Sequence, residues 1–219
     1  MNVLLFGATG MVGLGVLREC LLDADVRKVV TVGRNATGQR HDKLRELVHA
    51  DLFDLSRIET ELTGFDACFF CLGVTSAGMT EDAYRRVTYD LTLAVANTLA
   101  RLNAAMTFIY VSGRGTDSSE HGRLMWARVK GSAENALIRM PFKAAYAFRP
   151  GVIQPLDGIR SKTKLYQAGY TLLAPLLPLL KKSFPQFVTT TRQLGRAMLQ
   201  VAKRGYPKHV LESRDINSI

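Results

Sequence analysis

Three glycines at two-residue intervals, in Gly7-Ala8-Thr9-Gly10-Met11-Val12-Gly13, stand directly behind a short apolar run, Asn2–Phe6, and open an apolar-periodic stretch, Met11–Leu22. A run that short reads as a buried strand, and the period behind it as a helix. Strand, tight turn and helix in that order restrict the chain more than any other feature in it. Gly7 permits the tight turn, Gly10 lets the backbone come close to a pyrophosphate, and Gly13 lets the helix pack closely on the strand. The helix N-terminus then offers unpaired N–H groups and a positive dipole end to the phosphates. The turn therefore reads as a dinucleotide cradle built from Gly7, Thr9, Gly10, Met11, Val12 and Gly13.

The rest of the first two thirds repeats the alternation. Further strands are expected at Lys28–Val32, Leu47–Ala50, Ala67–Cys71, Thr107–Val111 and Ala144–Phe148, each short and apolar as strands covered on both faces are. Helices are expected at Met11–Leu22, near Asp42–Glu46, and at Ser56–Leu62, Thr80–Leu102 and Arg123–Arg139. Thr80-Glu81-Asp82 suits a helix start, a capping hydroxyl followed by two acids. Strands separated by helices imply right-handed crossovers and a doubly wound, mostly parallel α/β sheet of the Rossmann kind. Behind Pro150 the pattern changes. Ser161–Leu180 is helix-like but carries Pro175 and Pro178, Thr189–Arg204 has a helical period, and His209–Glu212 is a short strand candidate that would close the sheet. Residues 152–219 are too few for an independent domain, so the expectation is one domain over 1–219, with a cofactor-binding core at 1–151 and a small C-terminal helical cap over the sheet's carboxyl edge.

Charge and composition bound the function. Residues 1–110 carry 11 Lys/Arg and 13 Asp/Glu, whereas residues 111–219 carry 18 and 6, so all of the net charge of +10 lies in the second half. That asymmetry suits an anionic small ligand or an anionic surface as well as a merely solvated basic face. No nucleic-acid motif accompanies it, and DNA or RNA is not expected. With 3 Cys and 47% apolar residues the chain is an ordinary globular one rather than a disulfide scaffold, which suggests a reducing compartment. The opening Met-Asn-Val-Leu-Leu-Phe-Gly has no basic n-region and no long apolar h-region, and a cytoplasmic location is expected. Leu165–Leu180, flanked by Arg160, Lys162, Lys164, Lys181 and Lys182, keeps three readings open. It can be a buried cap giving an apolar substrate pocket with a basic rim, a homodimer face, or a peripheral membrane contact.

Cofactor choice follows from the end of the second strand. An NAD site places an acid there for the ribose hydroxyls. This chain has Val32-Gly33-Arg34-Asn35, and the Arg34 guanidinium, with Arg40 nearby, suits a 2′-phosphate. NADP(H) is preferred and NAD(H) stays open.

Five motifs follow one another over residues 1–151: the GxxGxxG turn, Asp51-Leu52, Cys71-Leu72-Gly73, Tyr110-Val111-Ser112 and Arg149-Pro150-Gly151. In this set the chain resembles the short-chain dehydrogenase/reductase superfamily in its extended and atypical branches. It is most similar to small proteins of the Tat-interacting-protein oxidoreductase type, loosely called nucleoside-diphosphate-sugar epimerases. The resemblance implies that Asp51 and Leu52 contact adenine, that Leu72 and Gly73 line the adenine-ribose side, that Pro150 borders the cofactor, and that Ser112 is a catalytic serine.

It also implies a Tyr-x-x-x-Lys pair, the lysine bonding ribose and lowering the pKa of a tyrosine that exchanges a proton with a carbonyl. Here the matching segment is Trp126-Ala127-Arg128-Val129-Lys130, so Lys130 matches and Trp126 stands at the tyrosine position. An indole N–H donates a hydrogen bond but has no useful titratable proton. Trp126 can orient a carbonyl or stack on nicotinamide, while His121, Tyr84, Tyr89, Tyr166 and Tyr170 are the candidate replacement acids. Two functions stay open: an oxidoreductase on a small carbonyl or alcohol, using Ser112, Lys130 and Trp126, and a catalytically silent NADP(H)-binding protein that regulates a protein partner. Cys68 and Cys71 would face opposite sides of a buried strand, four scattered His form no metal set, and Ser112-Gly113-Arg114-Gly115 is no hydrolase elbow, so no metal site is expected.

Overall fold

The structure, a computed structural model, describes residues 1–159 and 187–219. Its strands in chain order are β1 (Asn2–Phe6), β2 (Lys28–Gly33), β3 (Leu44–Val48), β4 (Ala67–Phe70), β5 (Thr107–Val111), β6 (Ala144–Arg149), β7 (Val152–Gln154), β8 (Val188–Thr190) and β9 (Val210–Glu212). Seven of them form one sheet in the order β3-β2-β1-β4-β5-β6-β9, and every neighbouring pair is parallel. The remaining two, β7 and β8, pair in parallel with each other, Val152 opposite Val188. The helices are α1 (Met11–Leu22), α2 (Glu81–Arg85), α3 (Leu91–Leu102), α4 (Met125–Ile138), α5 (Thr191–Arg204) and α6 (Ser213–Ser218). A 3-10 helix occupies Ser56–Leu62, and a π-helical turn, Arg86–Asp90, joins α2 to α3.

Parallel strands need cover on both faces, and the two-residue side-chain period divides the sheet's residues between two cores. Val3, Leu5, Phe69, Ile109 and Phe148 pack with α1 and α5 on one face. Leu4, Phe6, Phe70, Phe108 and Tyr110 pack with α3 and α4 on the other. An aromatic row crosses that second face, with Phe6–Phe70, Phe70–Phe108 and Phe108–Phe142 ring centroids 5.7, 5.9 and 5.1 Å apart, each pair adding about 0.5–1.5 kcal/mol beyond burial. On the first face α1 and α5 cross closely at two glycines. A Cβ on Gly15 would stand 2.6 Å from the Thr191 Cβ, and one on Gly195 would stand 2.9 Å from the Glu19 Cγ.

Most elements lie where the sequence places them, and three differ. The helix expected near Asp42–Glu46 is strand β3 instead, and Leu47–Ala50 supplies only the end of that strand. β3 is the sheet's outer edge, so its residues are half-buried or exposed, and Arg45 and Glu46 are tolerated there, masking the apolar run a central strand shows. The Thr80–Leu102 helix is interrupted by the π turn. Thr189 and Thr190 belong to β8, Thr190 Oγ1 then capping α5 by accepting the Gln193 N–H at 3.0 Å. Helix α5 lies against α1 on the sheet's face rather than over its carboxyl edge, and β9 extends the sheet beside β6 with Phe148 opposite Leu211. The expected Ser161–Leu180 helix, with Leu165–Leu180, Tyr166 and Tyr170, lies outside the described residues.

A buried ion pair that no local spacing announces ties α4 to the sheet. Arg149 at the end of β6 donates from Nε to both carboxylate oxygens of Glu134 (3.0 and 3.1 Å) and from Nη2 to Oε2 at 2.5 Å. The same guanidinium reaches Ser118 Oγ at 2.6 Å and Glu212 at 3.4 Å. The expected Arg149-Pro150-Gly151 motif thus carries the anchor that sets the helix bearing Trp126 and Lys130 against the sheet.

Candidate functional site

β1 and β4 are sheet neighbours whose following connections run to opposite sides, and at such a switch point a cleft opens beyond the strands' carboxyl ends. A cleft of about 570 Å³ opens there. Its floor is the glycine turn. Gly7 has φ +81, which favours glycine, and a Cβ on it would stand 2.7 Å from the Cys71 carbonyl carbon, so turn and β4 loop meet backbone to backbone. Gly13 is bare for a different reason from the one its spacing suggests. Its missing Cβ would lie 2.1 Å from the Gly7 carbonyl oxygen, so it seats the helix on the turn itself. Gly10 faces open space, a Cβ there meeting only Gly7 O at 3.4 Å, and it is the N-cap of α1.

Of the residues singled out in the sequence, Gly7, Thr9, Gly10 and Met11 line this cleft from the turn. Arg34 lines it from the end of β2, Asp51 and Leu52 from behind β3, Leu72 and Gly73 from behind β4. Val12 instead packs against the core of the first face, and Gly13 lies under the turn. Asn35, Phe53, Val74, Val87 and Leu91 join the lining without having been anticipated. Val87 and Leu91 reach it from the π turn and the helix behind it, an irregularity that no spacing signals.

Arg34 is exposed and has no ion-pair partner among the described residues. The carboxylate closest along the strand pairing, Glu46, is committed elsewhere: it accepts from Thr37 N (2.6 Å), Gly38 N (3.2 Å) and Thr31 Oγ1 (3.3 Å). Glu46 thereby pins the loop that carries Arg34, a positioning role that its place on an edge strand hid. Asp51 is exposed and accepts the Phe53 N–H at 2.9 Å, while Leu52 is buried and offers an apolar face to the same cleft.

The second cluster lies at the carboxyl ends of β5 and β6. Ser112 follows β5, its N–H bonded to Phe148 O at 2.8 Å, and its Oγ lies 3.0 Å from Thr116 Oγ1. Thr116 gives its one hydroxyl proton to Gly113 O at 2.7 Å, so Ser112 is the donor of that pair, with a proton that can be redirected to a ligand oxygen. Pro150 O accepts the Arg114 N–H at 3.0 Å, fixing the loop behind Ser112. Trp126 and Lys130 share one face of α4 at i, i+4, and the indole edge lies against Gly115. Gly131 lets the loop press on this helix, since a Cβ there would meet the Asp117 carbonyl oxygen.

Lys130 holds its ammonium 5.5 Å from the Tyr110 ring centroid. Burial pulls its pKa down to about 8, with Glu134 one turn on opposing that shift. Glu134 is saturated by Arg149, so Lys130 meets no carboxylate at ion-pair distance among the described residues. A charge kept in so poor a solvent weakens the free fold. Below pH 8 the lysine is charged in both folded and unfolded chains and the penalty is complete; it fades as pH rises from 8 towards the ordinary lysine value of about 10.4. Lys130→Met should therefore stabilise the ligand-free protein by about 2–3 kcal/mol at pH 7 and by little above pH 10.5. Chemical denaturation at the two pH values measures this, and an equal gain at both would refer the effect to packing. Of the other acids considered, Tyr84 is buried, Tyr89 lies under the Arg85 guanidinium at 4.1 Å, and His121 is exposed in the loop before α4.

Cys68 and Cys71 pack into opposite cores, and no group of three His, Cys, Asp or Glu able to hold a metal exists among the described residues. No helix among them is long and apolar enough to cross a membrane.

Residues 3–120 match the model of the NAD dependent epimerase/dehydratase family. The chain is similar to Protein HTATIP2 of Rattus norvegicus, 29% identical over 155 residues that cover 69% of this chain and 62% of that protein. It is also similar to Protein FMP52, mitochondrial, of Saccharomyces cerevisiae, 30% identical over 80% of this chain and 74% of that one. The chain thus spans less than two thirds of the length of the rat relative. In fold it superposes on the Bordetella bronchiseptica enzyme WbmF in complex with NAD+, with a TM-score of 0.65 at 13% identity, over 99% of this chain and 76% of that one.

Proposed function

This chain belongs to the NAD dependent epimerase/dehydratase family, as an atypical short-chain dehydrogenase/reductase of the HTATIP2 type, and on that premise we propose that it is an NADP(H)-binding oxidoreductase acting on a small carbonyl or alcohol. One observation carries the reading: the glycine turn, Arg34 and the Asp51-Leu52 loop line a single cleft at the sheet's switch point. The open backbone at Gly10 leaves room for a pyrophosphate, Leu52 and Val74 give adenine an apolar seat, and Arg34 offers a guanidinium that is unpaired among the described residues where an NAD site would have an acid. Held there, a reduced nicotinamide would supply the hydride for the carbonyl carbon, the proton for its oxygen being drawn from solvent. The chain's own part is to orient the carbonyl by Ser112 and Trp126 and to bring the Lys130 charge beside it. Three free thiols among the described residues suit a reducing compartment such as the cytoplasm, although the yeast relative's name is mitochondrial.

A second reading, an NADP(H)-binding protein without turnover that regulates a partner, is favoured by one residue. Trp126 leaves the site without the phenol that the family's proton transfer uses.

The test of cofactor choice is Arg34→Ala. Losing a charge-assisted clamp on the 2′-phosphate costs roughly 1.5–3 kcal/mol, so NADPH affinity should fall about tenfold to a hundredfold while NADH affinity stays nearly unchanged. Calorimetric titration of both cofactors measures it. Equal losses would mean that Arg34 touches a part common to the two.

A further inference from the structure

A second cleft, of about 400 Å³, opens at the carboxyl ends of β5, β6 and β9, apart from the glycine turn. Arg114, Gly115 and Thr116 border it from the loop behind β5, together with Phe187 and Arg214. It is continuous with the candidate catalytic cluster through two of these. Gly115 carries the edge of the Trp126 ring, and Thr116 holds the Ser112 hydroxyl at 3.0 Å. A ligand seated in it would therefore present one end to Ser112 and Trp126.

The charges around the cleft are unequal in what they have left to offer. Arg149 also borders it, but three hydrogen bonds to buried Glu134 and one to Ser118 use its guanidinium. Glu212, the one carboxylate among the described bordering residues, leans on Arg149 at 3.4 Å and caps α6 through the backbone of its third residue. That leaves Arg114 and Arg214, neither of which meets a carboxylate at ion-pair distance among the described residues. Arg114 is also held in place: its guanidinium lies 3.9 Å from the Phe187 ring centroid, and its backbone N–H is bound to Pro150 O. A guanidinium stacked on an aromatic face keeps its in-plane donors for a planar oxyanion, with less ordering left to do on binding.

We infer that this cleft holds the anionic end of the substrate, a carboxylate or phosphate ester on the same molecule as the reacting carbonyl. The inference rests on the oxidoreductase reading for which end of that molecule reacts. It gives the strongly basic second half of the chain a local purpose, the charge of two arginines that meet no carboxylate among the described residues being concentrated at this cleft rather than spread over a solvated face.

Three aldehydes of one shape separate the outcomes: benzaldehyde, 4-formylbenzoate and 4-formylphenyl phosphate. Their affinities for the protein with NADP+ present are measured by calorimetry, and NADPH consumption is followed separately. The wild type should bind one or both anions at least about tenfold more tightly than benzaldehyde, the value of one charge-assisted bond. Which anion is favoured tells a carboxylate from a phosphate substrate. Arg114→Ala and Arg214→Ala should each lower that preference, and the double variant should bring it close to one, with unchanged melting temperatures showing that these exposed side chains do not support the fold. No preference in the wild type, no binding of either anion, or a preference that survives in the double variant would overturn the subsite. Preference without NADPH consumption would keep the subsite and remove the oxidoreductase reading; consumption without preference would do the reverse.

Discussion

Gly10→Asp should cost the protein its NADPH affinity, by about a hundredfold or more in calorimetry, while the fold stands. Both halves of this expectation come from geometry. Gly10 is the N-cap of α1, with φ −84 and ψ 163, an extended backbone that any residue adopts, and its hydrogen-facing side is open. Asp is among the favoured N-cap residues, and α1 has no side-chain cap of its own, so the melting temperature should hold or rise. The same carboxylate fills the opening through which the backbone would reach a pyrophosphate and sets an anion against an anion. Gly13→Ala marks the contrast. Its Cβ would fall 2.1 Å from the Gly7 carbonyl oxygen, so the helix must leave the turn and the melting temperature should drop. Unchanged NADPH affinity in Gly10→Asp would remove the dinucleotide reading of the cleft.

That these two glycines differ so much was only partly legible from their spacing. The interval of the turn and the apolar runs on either side of it specify β1 and α1 to the residue, because a fully covered strand must be apolar throughout and a helix must show its period. Where cover is incomplete the signal fails. β3 carries Arg45 and Glu46 because it is an edge, and an edge strand with charges looks like a turn or a short helix until its partner is known. The site divides along the same line. Residues placed by backbone shape or at a strand end, such as Gly7, Gly10 and Arg34, lie along the cleft in the order the chain gives them. Residues that act through distant contacts do not: Glu134 and Arg149 are 15 positions apart, Glu46 holds a loop that precedes it, and Arg214 reaches the second cleft from the last helix.

Trp126→Tyr is expected to create or raise carbonyl reductase activity, by about 10²–10⁴-fold, the range a positioned general acid supplies. A tyrosine there would share the α4 face with Lys130 one turn away, and the lysine's charge would lower the phenol's pKa from its ordinary value of about 10. Ser112 can turn its proton from Thr116 to the carbonyl oxygen, so donor and orienting hydroxyl would then act on one atom. The gain has a pH limit, because Lys130 loses its charge as pH passes about 8 and its support for the phenolate goes with it. Stability should change little, since the indole is half-buried and its edge rests on Gly115, where a smaller ring leaves only a surface gap. The assay is NADPH consumption by wild type, Trp126→Tyr, Trp126→Tyr with Lys130→Met, and His121→Gln on one carbonyl panel. Turnover in the first variant that disappears in the double variant bears the account out. Wild-type turnover abolished by Trp126→Tyr would sink it, because the indole would then be a productive part of the site. Loss in His121→Gln alone would move the proton to that exposed loop, and silence in every variant with NADPH still bound would leave the regulatory reading.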